Sequence, residues 1–264
     1  MSRLVPLVSA ADRKVLKEQR ILDAARELLL RHGPRGFSMA EVAALAGVGK
    51  GTVYLYWESK EDLIADLYAK DALAMIEAVQ AAVTGDANII TPHRFLPLMR
   101  RTVRQHPFVV AIQTQDTELL GWFKEHPGIR RIRSTIGPVP LLVKIIPILR
   151  EHGLVRTDLS AGTQIYALLT MVEGMFHMDT NDPVVDPHQF GVEDPDVMLA
   201  DVSRVLLEPS SPADSCAVGA AASAALAGFD QARAEFLSEI LLASQNEEQD
   251  KAKRETRFWA SLHE

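Results

Sequence analysis

The chain of 264 residues contains one cysteine, Cys216. A lone thiol cannot close an internal disulfide, so a disulfide-stapled scaffold is excluded and a reducing compartment is expected. Aromatic residues are only 6% of the total, and alternating β-branched runs are scarce, so nothing points to a sheet protein. No apolar run approaches the ~20 residues of a membrane-spanning helix, so no membrane partner is expected. The first residues carry Arg3 and a Leu4–Val8 stretch broken by Pro6, unlike a secretory leader, which points to the cytoplasm. Catalytic signatures are missing too. There is no Ser-His-Asp motif and no H-E-x-x-H helix, and Gly47–Gly51 lacks both the spacing and the preceding strand of a phosphate-binding loop. His177, Asp179 and His188 lie near one another in sequence but do not make a closed four-ligand set. Neither an enzyme, a metal site nor a cofactor is expected.

What is present is helix. Apolar residues are 47% of the chain, and they recur mainly at helical spacing. The most informative stretch runs from Ser38 to Lys60. Ser38 with Glu41 three residues on reads as a capping box, which satisfies two backbone donors at a helix start. Met39, Val42, Ala43 and Leu45–Ala46 form the face that follows. Gly47 suits the left-handed conformation at a helix end, and Val48 is the apolar residue of the turn. A second, very short helix begins near Gly49 or Lys50 and carries Gly51, Thr52, Val53, Tyr54, Leu55 and Tyr56. On it, Val53 and either Leu55 or Tyr56 read as buried. Ser59 then caps a further helix, with Asp62 as reciprocal partner and Lys60 in the first turn. Two short helices joined by a tight turn form a helix-turn-helix, whose second helix enters the DNA major groove.

Charge supports this reading. Residues 1–60 hold ten Lys or Arg against six Asp or Glu, a net of +4, while residues 61–264 hold 18 against 29, a net of −11. A positive head on a negative body attracts phosphates in one orientation. Arg13, Lys14 and Lys17, ahead of the helix-turn-helix, are candidates to touch the DNA backbone or minor groove.

The segments Arg20–Gly33, Gly36–Val48, Lys50–Trp57 and Ser59–Leu63 together resemble the DNA-binding region of the TetR (tetracycline repressor) family. The departures are Gly49, where the family often has a side-chain cap, and Trp57, where it usually has Phe. The resemblance implies DNA-binding roles for Ser38, Lys50, Gly51, Thr52, Tyr54, Tyr56 and Lys60. Thr52 and Tyr54 would face the groove, Tyr54 and Lys60 would contact phosphates, and Gly51 would permit close approach. It also implies an all-α fold: an N-terminal three-helix helix-turn-helix head, then an all-helical body that binds a ligand and dimerises.

Beyond the head, helices are expected over about 59–83, 93–105, 107–125, 127–135, 140–152 (with Pro147 as a kink), 161–178 and 196–208. Residues 1–58 are read as the head, 59–208 as the body, and 209–264 as a linker with an Ala-rich helical extension. Residues 161–178 are apolar on almost every side, including Ile165, Tyr166, Leu168, Leu169, Val172 and Phe176, so one face could meet a partner subunit. Residues 197–207 carry Val197, Leu199, Ala200, Val202 and Val205–Leu207. The expected dimer residues are Ile165, Leu169, Val172, Gly174, Leu199, Val202 and Leu206.

Candidate ligand-lining residues are Met99, Val103, Gln113, Trp122, Met171, Met175 and Phe176, with Ile112 and Leu142 beside them. They are mostly apolar, as ligand cavities are, and methionine gives adaptable walls. In the extension, Leu226, Phe229, Ala232, Phe236, Ile240 and Leu241 form an amphipathic stripe that Gly219 and Gly228 interrupt, expected to pack on the body or the partner chain. The reading is a ligand-responsive repressor that binds a palindromic double-stranded operator as a homodimer and leaves it when a small hydrophobic effector binds. The alternative is a helical regulator controlled by a protein partner through the extension.

Overall fold

The computed structural model describes the backbone of residues 10–113, 126–178 and 186–261 and, within these, the side chains of residues 13–110, 126–176, 178 and 186–240. The described residues form helices and turns, with no strand among them. The chain divides into two units: residues 1–71 with 115–129, and residues 72–114 with 130–264.

The first unit contains α1 (Ala10–His32), α2 (Met39–Ala46), α3 (Lys50–Tyr56) and the start of α4 (Lys60–Gly85). Its core joins Ile21, Leu22, Ala25 and Leu29 of α1 with Val42, Ala43 and Ala46 of α2, Val53 of α3, and Leu63, Ile64 and Leu67 of α4, all buried. Two ion pairs bolt α1 to α4: Arg26 to Asp71 at 3.1 Å and Glu18 to Lys70 at 2.7 Å. The expected capping boxes are both formed. Glu41 N–H donates to Ser38 Oγ at 3.3 Å and Ser38 N–H to Glu41 Oε2 at 2.7 Å. Ser59 and Asp62 repeat the arrangement at 3.1 and 3.0 Å. Gly47 adopts φ 63° and ψ 40° and closes α2, a conformation that a Cβ would penalise.

The second unit is built differently. α5 (Pro92–Arg104), α6 (Pro107–Gln113), α7 (Pro127–Thr135, which begins in the first unit), α8 (Pro138–Glu151) and α10 (Pro195–Leu207) all open on proline. Proline lacks the N–H that would go unsatisfied at that position, and its fixed φ already suits the helix. Between them come a 3₁₀ turn at Ala87–Ile90 and α9 (Ala161–Met178), where Ser160 Oγ accepts from Thr163 N–H at 3.0 Å. Leu96, Ile146, Leu168, Leu199 and Leu207 form a buried cluster, with Phe95, Leu142, Ile165, Met171, Met175 and Leu206 packed on it.

The extension is one continuous helix, α11 (Ser215–Ser261), which runs through Gly219 and Gly228. Val218, Ala221, Ala222, Ala225, Phe229, Ala232 and Phe236 are buried, at the three–four spacing of a helix face. They pack on α8 and the 87–90 turn, and Phe229 stacks on Phe95. Leu226 and Ile240 sit half-buried at the edge of that stripe, and Leu241 lies outside the described side chains. Gly228 does not break the helix: a Cβ there would meet Ile145 and Ile148 at 3.5 and 3.6 Å, so the glycine brings α11 close to α8.

One segment bears on the membrane expectation. Taken as one piece, Pro127–Glu151 has the length and hydropathy of a span. The backbone divides it at Ile136–Gly137 into helices of 9 and 14 residues, each shorter than the ~20 residues a span needs. Ile132, Leu141, Ile145, Ile146 and Leu149 within it are buried.

Candidate nucleic-acid interface

α3 is seven residues long, and Val53 is its one buried residue. Val53 anchors the helix to the core, which leaves the other side chains to face outward or towards neighbouring helices. Lys50 and Gly51 are exposed, Thr52 is half-buried, and Tyr54 is 44% exposed. The Lys50 ammonium lies 5.8 Å from the centre of the Tyr54 ring, one helical turn away. Gly51 has no packing role within the chain, since a Cβ built on it meets nothing within 4 Å. A glycine inside a helix costs about 1 kcal/mol relative to alanine. With no internal reason for it, the small residue suits an external surface that comes close, as a DNA backbone does.

Two sequence expectations are corrected here. Leu55, which was a candidate for burial, is 84% exposed. With Val53 turned inward, Leu55 two residues on falls on the opposite side of the helix. Leu45 is likewise exposed, and the buried face of α2 is Met39, Val42, Ala43 and Ala46. Leu55 is the functional candidate that sequence reasoning missed: an exposed apolar side chain on a groove helix can meet a thymine methyl.

The remaining predicted residues divide into contact candidates and fasteners. The Tyr56 hydroxyl donates to the Lys14 carbonyl at 3.2 Å, and its ring stacks on Trp57. It fastens α3 to α1, which displaces its reading as a direct DNA contact. Lys60 Nζ donates to the Phe37 carbonyl at 2.8 Å and lies 4.9 Å from the Phe37 ring centre. Its ammonium therefore braces the start of α4 against the approach to α2. Ser38 uses its side chain in the α2 cap. Arg20, absent from the sequence candidates, donates to the Ala46 and Gly47 carbonyls. A cation at a helix C-terminus satisfies carbonyls left over there.

Carboxylates behind α3 hold the frame. The Ser38 hydrogen bonds hold Glu41 below the usual carboxylate range. His126 at 3.1 Å, then Ser59, does the same for Asp62. Burial pushes Asp66 up, against the opposing pull of Lys70 and of Trp57 Nε1–H, which donates to it at 3.2 Å.

In the second unit, the ligand candidates Met171 and Met175 pack on the central cluster with Leu142. Val103 and Phe176 are buried and Met99 is half-buried. Trp122 and the side chains of Ile112 and Gln113 lie outside the described residues. A cleft of about 690 Å³ opens elsewhere, beside Arg156, Thr157, Asp158, Arg204 and Glu208, and none of the predicted lining residues borders it. Among the dimer candidates, Leu199 is 1% exposed and belongs to the chain's own core. Ile165 and Leu206 pack on that core as well. Leu169, Val172 and Gly174 are half-buried, and Val202 is exposed. Val197 and Val205 on the same helix are exposed too, as is Tyr166 on α9, with Tyr166 75% and Val205 77% exposed.

A capped first helix, an αL glycine turn and a short helix held by one buried valine define a helix-turn-helix, the motif whose second helix enters the major groove in DNA-binding proteins. Residues 21–67 match the model of the bacterial regulatory proteins of the tetR family, a segment that takes in the helix-turn-helix and about a fifth of the chain. The chain is similar to the fatty acid metabolism regulator protein of Bacillus subtilis, at 34% identity over 64 residues, 24% of this chain and 33% of that protein. The match thus spans about a third of that relative's length. It is also 25% identical over 163 residues to the transcriptional repressor BepR of Brucella suis, covering 60% of this chain and 77% of that one. Among solved structures, the fatty acid degradation regulator FadR of Bacillus halodurans shares the fold. Its TM-score is 0.51 at 16% identity, over 81% of this chain and all of that one.

Proposed function

We propose that this protein is a homodimeric repressor that binds a palindromic operator through α3 and is released by a small hydrophobic effector held in the second unit. The observation that carries the DNA reading is the outer face of α3, where Lys50, Gly51, Tyr54 and Leu55 are all exposed and Gly51 packs on nothing. Cations and hydroxyls there suit phosphates, and Leu55 and Thr52 suit base edges. Similarity to a named repressor supports the sign of regulation.

The homodimer reading draws on Tyr166, Leu169, Val172, Val197, Val202 and Val205. Exposed apolar side chains on both α9 and α10 favour a self-complementary, two-fold contact. Open space around Gly174 leaves room for a helix of the second copy. The effector reading draws on Met99, Val103, Met171, Met175 and Phe176 of α5 and α9, polarizable and apolar residue types suited to an acyl or aromatic ligand. Similarity to a fatty acid metabolism regulator supports that ligand class. The effector must favour the DNA-released state by a few kcal/mol, since equal affinity shifts nothing.

The test is selection of bound duplexes from a random-sequence pool, followed by titration of the complex with long-chain acyl compounds. Enrichment of a palindrome and its release by an apolar ligand are expected. A pool with no enrichment would overturn the operator reading, and a complex indifferent to apolar ligands would overturn the effector reading.

A further inference from the structure

α1 begins at Ala10, eleven residues ahead of the segment that matches the family model. This added length is basic and outward-facing: Arg13, Lys14 and Lys17 are all exposed, and no carboxylate among the described residues is paired with them. Glu18, their acidic neighbour on the helix, is engaged by Lys70.

Two contacts place the added turns beside the reading helix. The Tyr56 hydroxyl at the end of α3 donates to the Lys14 carbonyl. Nearly two turns further along α1, Arg20 reaches the Ala46 and Gly47 carbonyls at the turn between α2 and α3. Arg13, Lys17 and Arg20 follow at i, i+4 and i+7, so they share one stripe. With Arg20 engaged at those carbonyls, Arg13 and Lys17 are the members of the stripe that face an external anion. From Arg13 to Arg20 the stripe covers ~10 Å along the helix axis, close to the rise of three nucleotides on one DNA strand at ~3.4 Å each.

We propose that the N-terminal turns of α1 form a second DNA contact, in which Arg13, Lys14 and Lys17 bind backbone phosphates flanking the bases read by α3. Tyr56 is the positioning residue that holds these turns against α3. The inference rests on the DNA-binding reading above. The contact is with phosphate alone, so it adds affinity and salt dependence without adding sequence preference.

The test uses the full chain and a labelled duplex of mixed sequence about three helical turns long, with salt titrated at each affinity measurement. Replacing Arg13, Lys14 and Lys17 together by Gln keeps helix propensity. It should lower the slope of log affinity against log salt by about 0.9 per lost contact, close to 3 per bound head. The change in affinity between 50 and 200 mM salt should then shrink by about 40-fold. A charge-keeping variant with Arg13→Lys, Lys14→Arg and Lys17→Arg should retain the parent slope, and matched circular dichroism melts control for folding. Tyr56→Phe should lower the slope in part, since it loosens the turns without removing charge. An unchanged slope in the Gln variant, with a reduced slope for Lys50→Ala, would overturn the α1 contact and leave the reading of α3 standing. Failure of the parent chain to bind duplex in a salt-dependent way would overturn both.

Discussion

The two units of this protein are specified by different means. In the first, short helices are fixed by local chemistry: the Ser38–Glu41 and Ser59–Asp62 boxes, the left-handed Gly47 and the Arg20 bridge to the α2 C-terminus. In the second, five helices open on proline while α9 starts on a Ser160 cap, and helix faces follow the distribution of apolar bulk around Leu96, Ile146, Leu168, Leu199 and Leu207. The first unit buries one compact set of apolar residues from α1 to α4 and leaves Lys50, Gly51, Tyr54 and Leu55 of α3 exposed. The second has apolar residues to spare, and the surplus on α9 and α10 lies on the surface.

The largest effect should come from removing α11 after Glu208. Phe229 and Phe236 are buried, and losing each such side chain costs about 3–5 kcal/mol. The shortened chain should lose its cooperative melt and aggregate. A melting temperature equal to the parent's would show that the second unit does not depend on α11. Next comes Gly174→Glu. Within one chain the added side chain meets open space, so a monomer would tolerate it. In a desolvated two-fold seam, an unpaired charge costs several kcal/mol. Light scattering should report monomer, whereas a soluble dimer would move the seam away from α9.

A smaller loss is expected in the first unit. Ser38→Ala removes a side-chain cap, at about 1 kcal/mol, read as a lower denaturant midpoint with an unchanged slope. No shift would mean that Glu41 alone sustains the start of α2.

The smallest effect concerns acid. Asp62 and Glu41 are held below their ordinary range. Their contribution is therefore present above the unfolded value near 4 and is lost as pH falls through the lower folded value. Asp66 is raised, so its protonation on the way down relieves the fold instead. Asp62→Asn should flatten the acid limb of stability against pH and Asp66→Asn should leave it at least as steep. The reverse order would misassign the carboxylates that frame α3.

Much of the first unit was legible in the sequence because caps, glycines and short spacings act within a few residues. Ser38, Glu41, Gly47, Ser59 and Asp62 do what local pattern demands. What was not legible there depends on three helices docking at once. Leu55 points outward because Val53 takes the inward position, Tyr56 is occupied by α1, and Lys60 is occupied by the Phe37 carbonyl. In the second unit, helix existence was readable and helix orientation was not. Leu199 and Val202 are three apart and equally apolar, yet one is core and the other is surface. A helix apolar on most sides gives no internal cue to which face the chain will bury.

The measurement that bears most directly on the central claim, that the outer face of α3 reads DNA, is operator selection with Leu55→Ala. The side chain is exposed, so its removal should leave stability within about 0.5 kcal/mol of the parent. If Leu55 meets a thymine methyl, the pool bound by the variant should relax at one position in each half-site, with about 1–3 kcal/mol less discrimination there. A variant with the parent's melting temperature that selects the same sequences as the parent, position by position, would contradict the account.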